Sequence, residues 1–151
     1  MISVGLGEYA ISDDQNETLI TYALGSCIAV IIYHPKTKYT AMAHIVLPKG
    51  KHESKPGFFA EEMMPKLINF FVIEKKINKD ELVIHLIGGA TSLNRKDIFM
   101  IGEKNLGKIS SILKKNGLSA TKNDTGGNLS RTVSVCVNDG KITIKEHKMI
   151  V

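Results

Sequence analysis

The stretch Cys27-Ile28-Ala29-Val30-Ile31-Ile32-Tyr33, with His34-Pro35-Lys36-Thr37 and then Lys38-Tyr39-Thr40-Ala41-Met42-Ala43-His44-Ile45-Val46-Leu47, decides the fold. The first run is apolar throughout, the mark of a strand buried on both faces and therefore central in a sheet. The proline-containing tetrapeptide reads as a turn, and the second run returns as an antiparallel strand until Pro48 stops it. Upstream, Thr18–Leu24 is another β-branched apolar run behind the polar turn Ser12–Asn16, and Ile2–Ile11 is apolar but broken by Gly5 and Gly7. Downstream, Lys49–Gly57 is a polar, lysine-rich loop. Helical spacing then takes over at Phe59, Met63, Leu67 and Phe70, with Pro65 set to kink or break that helix. Leu82–Ile87 reads as a strand running into Gly88-Gly89-Ala90. A second helix is expected over Gly102–Asn116, with Leu106, Ile109, Ile112 and Leu113 on its apolar face and Gly117 as its cap. Val133–Val137 and Lys141–Lys145 alternate around Asn138-Asp139-Gly140, a hairpin turn signal. The sum is one strand-rich α+β domain over residues 1–151 with two main helices.

Composition limits what such a domain does. The chain has 151 residues, 43% hydrophobic and 23% charged, the profile of an ordinary globular domain. Two cysteines, Cys27 and Cys136, exclude a disulfide-dense scaffold and a multi-thiolate zinc site. Met1–Ala10 lacks the basic and apolar regions of a secretory leader, so a cytoplasmic protein is expected. The net charge of +5 is almost all lysine, since Arg95 and Arg131 are the only arginines and tryptophan is absent. That pattern argues against nucleic acid, whose readers favour arginine forks and aromatic stacking. Gly5-Leu6-Gly7-Glu8-Tyr9-Ala10 matches a dinucleotide fingerprint in letters only, because no full strand precedes it and no helix follows. Asp124-Thr125-Gly126-Gly127-Asn128 reads as a tight loop. His34, His52, His85 and His147 show no metal-ligand spacing, and no metal or cofactor is expected.

The pair with chemical content is Cys27 and His44. A four-residue loop over His34–Thr37 closes Tyr33 against Lys38, and counting back sets Cys27 directly opposite His44 on the same face. A neighbouring imidazole shifts a thiol toward thiolate–imidazolium, and Gly25-Ser26 lets backbone N–H groups converge on an oxyanion. A one-residue slip would separate the two groups to opposite faces. Cys136, inside a strand pattern, reads as a packing residue. Lys36, Lys38, Lys49, Lys51 and Lys55 crowd the hairpin and loop around His44, a rim suited to an acidic substrate.

At Leu24-Gly25-Ser26-Cys27 and Ala41-Met42-Ala43-His44-Ile45-Val46-Leu47-Pro48 the sequence resembles the CheD family of bacterial chemotaxis, the chemoreceptor glutamine deamidases. The likeness continues at Gly7-Glu8-Tyr9-Ala10, Gly88-Gly89-Ala90, Ile101-Gly102-Glu103-Lys104-Asn105 and Asp124-Thr125-Gly126-Gly127. The resemblance implies a nucleophile at Cys27, a base at His44 and a third member at Thr21. It also implies packed, sandwich-like β-sheets flanked by helices, similar to the catalytic domain of the cytotoxic necrotizing factor toxins. The implied reaction is hydrolysis of receptor glutamine to glutamate through a cysteine thioester, with glutamate methyl esters as a second substrate. Chemoreceptors are the implied partners. A CheC-type phosphatase is another, and the alternative reading makes the chain mainly its non-catalytic binding partner. No membrane insertion is expected.

Overall fold

Alternation along the central hairpin sorts its apolar side chains into two cores. In the computed structural model, which describes residues 1–91 and 99–149, nine strands and two helices follow in order. They are β1 (Ile2–Ser3), β2 (Tyr9–Ser12), β3 (Thr18–Leu24), β4 (Ile28–Tyr33), β5 (Thr40–Ile45), α1 (Ala60–Ile68), β6 (Val83–Gly88), α2 (Ile101–Lys115), β7 (Lys122–Thr125), β8 (Leu129–Cys136) and β9 (Ile142–Lys148). A four-stranded sheet runs β1-β3-β8-β9, and a five-stranded sheet runs β2-β5-β4-β6-β7. β4 is central and buried at every position, as its unbroken apolar sequence requires. Ile28, Val30 and Ile32 face the helices with Ala41, Ala43 and Ile45. Ala29, Ile31 and Met42 face the other sheet, meeting Leu19, Leu24, Val133 and Val135. The molecule is thus an α+β domain of three layers, sheet on sheet with helices over the outer face of the larger one. No helix among the described residues is long and apolar enough to cross a membrane. Arg95 lies outside the described residues.

Four expectations need correction. The Ile2–Ile11 run is two short strands that join different sheets, because Gly7 at φ 76° turns the chain between them. The hairpin loop spans six residues, His34 to Tyr39, and closes Tyr33 on Thr40. His34 stabilises the longer loop through Thr37 at 2.7 Å and Glu81 at 2.8 Å, and Lys38 takes φ 69° within it. β7, parallel to β6, has the sequence Lys122-Asn123-Asp124-Thr125 and carries no apolar alternation to announce it. Pro65 does not end α1. The helix runs through it and widens into a π-helical turn over Asn69–Glu74.

β3 carries the irregularity that matters most. Its register against β8 slips between Thr21 and Leu24, and Ala23 there adopts φ 52°. This bulge turns Tyr22 and Ala23 outward together, so Thr21 and Leu24 both point into the core. An L-residue in the left-handed region is strained by about 1–2 kcal/mol, partly offset for glycine by its larger folding entropy. Ala23→Gly is therefore expected to raise the melting temperature by about 2–4 °C. A scanning calorimetry trace with an unchanged or lower midpoint would contradict the bulge geometry.

Candidate active site

Thr21 projects from the four-stranded sheet and His44 from the five-stranded sheet, and both are buried between them. Thr21 Oγ1 lies 2.6 Å from the Val4 carbonyl oxygen and 2.7 Å from His44 Nδ1. A hydroxyl has one proton, and the carbonyl accepts only, so that proton is committed to Val4. Toward His44 the hydroxyl is then an acceptor, and Nδ1 must carry the imidazole hydrogen. The consequence falls on the far side of the ring. Nε2 is left as a bare lone pair, buried and without a hydrogen-bond partner among the described residues. The backbone of His44 is fixed as well, donating to Glu8 O at 3.0 Å and accepting from Gly7 N at 3.0 Å. The Gly5–Ala10 segment thus serves as a brace for the histidine strand.

Cys27 sits one residue before β4, half-buried, with its thiol free. Directly opposite His44 stands Ala29, not Cys27, because the hairpin loop is two residues longer than the four expected. A shift of two preserves the face. Cys27 shares the inward face of Ala29 and packs against the inter-sheet core, so it is a diagonal neighbour of His44. Diagonal pairs in a sheet lie about 7–8 Å apart, within reach of long side chains.

The Gly25-Ser26-Cys27 loop is held by its carbonyls. Ala90 N donates to Gly25 O at 2.8 Å, Asn105 Nδ2 to Ser26 O at 3.1 Å, and Gly89 N to Cys27 O at 2.9 Å. The backbone N–H groups of Ser26 and Cys27 donate no hydrogen bond among the described residues. Gly88, at φ +119°, lies so close that a Cβ there would overlap the Cys27 carbonyl oxygen, and one on Gly102 would overlap that of Gly89. Asn105 Nδ2 also donates to Val46 O at 2.9 Å, tying the cysteine loop to the histidine strand. Behind them, buried Arg131 donates to Gly88 O at 3.3 Å and Gly126 O at 2.9 Å, and Asp124 lies 3.4 Å from its Nε.

Asn105 and Arg131 were not singled out from sequence. A signal existed for the first. Asn105 is the polar member of the buried stripe Gly102, Asn105, Ile109 and Leu113. For Arg131, buried inside an alternating strand, only its partners reveal the role. Lys36 and Lys38 do not rim the site, since both lie in the loop at the opposite end of β4 and β5, and Lys36 pairs with Glu81 at 3.3 Å. Lys49, Lys51 and Lys55 follow β5 at the His44 end. Cys136 packs in β8 against Thr18, 3.7 Å away. Among the described residues no group of three His, Cys, Asp or Glu is placed to hold a metal.

Burial sets the protonation states. It pushes the Cys27 thiol up to about 11 and the His44 imidazole down to about 4. Both shifts oppose a thiolate–imidazolium pair, so the resting site is a neutral thiol and a neutral imidazole. This departs from the ion pair expected from residue types alone.

A thiol, an imidazole and a hydroxyl on facing layers of a two-sheet α+β domain are the constituents of thiol hydrolase sites. The family described as CheD chemotactic sensory transduction matches residues 46–146. The chain is 37% identical over 147 residues to a probable chemoreceptor glutamine deamidase CheD of Syntrophotalea carbinolica, covering 93% of this chain and 91% of that one. It is 37% identical over 149 residues to the protein of the same description in Methanococcus vannielii, covering 97% and 92%. To the chemoreceptor glutamine deamidase CheD of Thermotoga maritima it is 33% identical over 144 residues, covering 95% and 90%. The chain belongs to the CheD family.

Gly88 offers a test of the backbone support. Gly88→Ala places a methyl against the Cys27 carbonyl at a positive φ, a strain of about 1–3 kcal/mol. The melting temperature is expected to fall by at least about 3 °C. A Gly88→Ala protein that melts with the wild type would show that the Cys27 loop is not held in this way.

Proposed function

We propose that this chain hydrolyses the side-chain amide of glutamine residues in chemoreceptors, with Cys27 as nucleophile, His44 as base and then acid, and Thr21 as a positioning residue. The names of the relatives support the reaction and its substrate. The single observation that carries the residue roles is the fixed tautomer of His44. Its bare Nε2 lies on the same inward face as the Cys27 thiol.

The thiol proton passes to His44 Nε2 as the sulfur attacks the carboxamide carbon, and the resulting oxyanion accepts hydrogen bonds from Ser26 and Cys27 N–H. Imidazolium His44 returns the proton to the departing nitrogen, ammonia leaves, and a thioester remains. Water then attacks the thioester with His44 as base. The thiol is regenerated, and glutamate is the product. A glutamate methyl ester would enter the same thioester with methanol leaving instead. Because burial disfavours charge in the empty site, proton transfer is coupled to attack rather than completed beforehand. Substrate hydrogen bonds supply the polarity that the resting pair lacks.

Mass spectrometry of receptor peptides after incubation should show the gain of an amide-to-acid conversion, absent with Cys27→Ala. His44→Ala is expected to lower kcat by about 100- to 10,000-fold. Thr21→Val, which keeps the shape but frees the ring, should lower it by only about 10-fold, near the worth of one hydrogen bond. Undiminished conversion by Cys27→Ala, or a larger loss in Thr21→Val than in His44→Ala, would overturn the assignment.

The pKa shifts also fix a pH profile. The reactive free enzyme has His44 neutral and Cys27 protonated, so the limbs of kcat/KM fall toward about 4 and about 11. The plot should be flat from about pH 6 to pH 9, across the range where an ordinary cysteine or histidine would titrate. A break in that interval would place one of the two groups in a more polar setting than this site provides.

A further inference from the structure

Away from Cys27 and His44, one face of α2 has a composition that the fold does not need. Gly107 is exposed in mid-helix, and a Cβ built on it would meet nothing within 4 Å. Glycine is the weakest helix former after proline. The contrast with Gly102 on the same helix is direct, since a side chain there would collide with backbone. The fold therefore gains nothing from the missing side chain at 107. Close approach of a partner's backbone would.

Gly107 opens into a groove of about 650 Å³ whose floor includes Leu47 and Pro48 and whose rim carries Lys49, Lys104 and Lys108. Among the described residues no carboxylate pairs with these three ammonium groups. Glu61 accepts from Gly50 N at 2.9 Å and Glu62 pairs with Lys66 at 3.4 Å, which leaves Glu103, one turn before Gly107, as the one carboxylate of α2. An apolar floor, a glycine gap and an unneutralised cationic rim together define the complement of an amphipathic acidic helix.

The groove is mechanically close to the site. Leu47 follows Val46, whose carbonyl is clamped by Asn105 from the same turn of α2 that presents Lys104. We propose that this groove is a docking site for an acidic amphipathic helix of the protein substrate, distinct from the Cys27 and His44 site. A small side chain of that helix would rest on Gly107, with its carboxylates against Lys49, Lys104 and Lys108. This rests on the chemoreceptor deamidase reading above. It adds that the enzyme recognises a folded helical surface as well as a glutamine.

The experiment compares wild type with Gly107→Leu, which fills the gap while improving helix propensity, and with Lys104→Glu/Lys108→Glu, which reverses the rim. Thermal melts confirm that both fold. On an intact chemoreceptor each variant should raise KM at least about 10-fold and leave kcat within about 2-fold, the signature of lost uniform binding. On a short unstructured glutamine peptide, both should match wild type. Raising salt from about 50 to 300 mM should raise the wild-type KM for receptor and lower that of Lys104→Glu/Lys108→Glu, whose reversed rim repels the same carboxylates. An unchanged KM in both variants, an equal loss on the short peptide, or wild-type self-association abolished by the same substitutions would overturn the proposal. Calorimetric binding of receptor to Cys27→Ala protein, with and without Gly107→Leu, reads the groove without turnover. Weakened binding by Gly107→Leu alongside no deamidation by wild type would sustain the groove while sinking the reaction, and equal binding would sink the groove alone.

Discussion

One hydroxyl joins the two sheets and sets the proton that the site works with. Thr21 reaches across the sandwich to His44, and its own hydrogen is already spent on Val4. Both bonds are needed for the outcome. Without Val4 the hydroxyl would be free to donate to the ring, and the imidazole hydrogen would move to Nε2, where it would occupy the lone pair. The N-terminal segment therefore contributes a carbonyl rather than a reactive group, and Val4 is itself anchored by donating to Ile20 O at 2.8 Å. The bulge at Ala23 serves the same bond, since it lets Thr21 and Leu24 share the inner face.

The cysteine is placed by different means. Its loop has no side-chain anchor of its own and is gripped at three successive carbonyls by Ala90, Asn105 and Gly89. Backbone-to-backbone contact of this closeness is possible only where side chains are missing, which explains Gly88 and Gly102 together. Histidine and thiol are thus fixed by two mechanisms, a polar bond between sheets and a glycine-lined seam beside β6. Burial gives both a neutral resting state. A buried thiol without charge is a poor target for adventitious oxidants and electrophiles, which attack thiolates.

Much of this was legible in the sequence. Unbroken apolar residues in β4 declared a central strand, and β3 was readable from end to end from its β-branched run. The parity of Cys27 and His44 survived an error in loop length, because six residues in place of four shift the ladder by an even number. Their direct opposition did not survive. What the sequence hid was whatever depends on partners far along the chain. Thr21 entered only through family likeness, since a threonine in a strand is ordinary until its neighbours are known. β7 is hidden for a simpler reason: it is polar and covered by pairing rather than by burial. Lys36 and Lys38 looked close to His44 by sequence distance, yet an antiparallel hairpin carries its loop to the far end.

The pairing of β3 with β8 has a consequence for the order of events at the ribosome. Thr18 faces Cys136 and Thr21 faces Val133, so the strand that carries Thr21 gains its neighbour only after Leu129–Cys136 has emerged. Gly88 likewise waits for Arg131. Nascent chains that already contain Cys27, His44 and Thr21 still lack the support that sets their geometry. Contacts of such long sequence separation form late and slowly. The arrangement that brings Thr21, His44 and the Cys27 loop together is therefore complete only once β8 has found both of its neighbours.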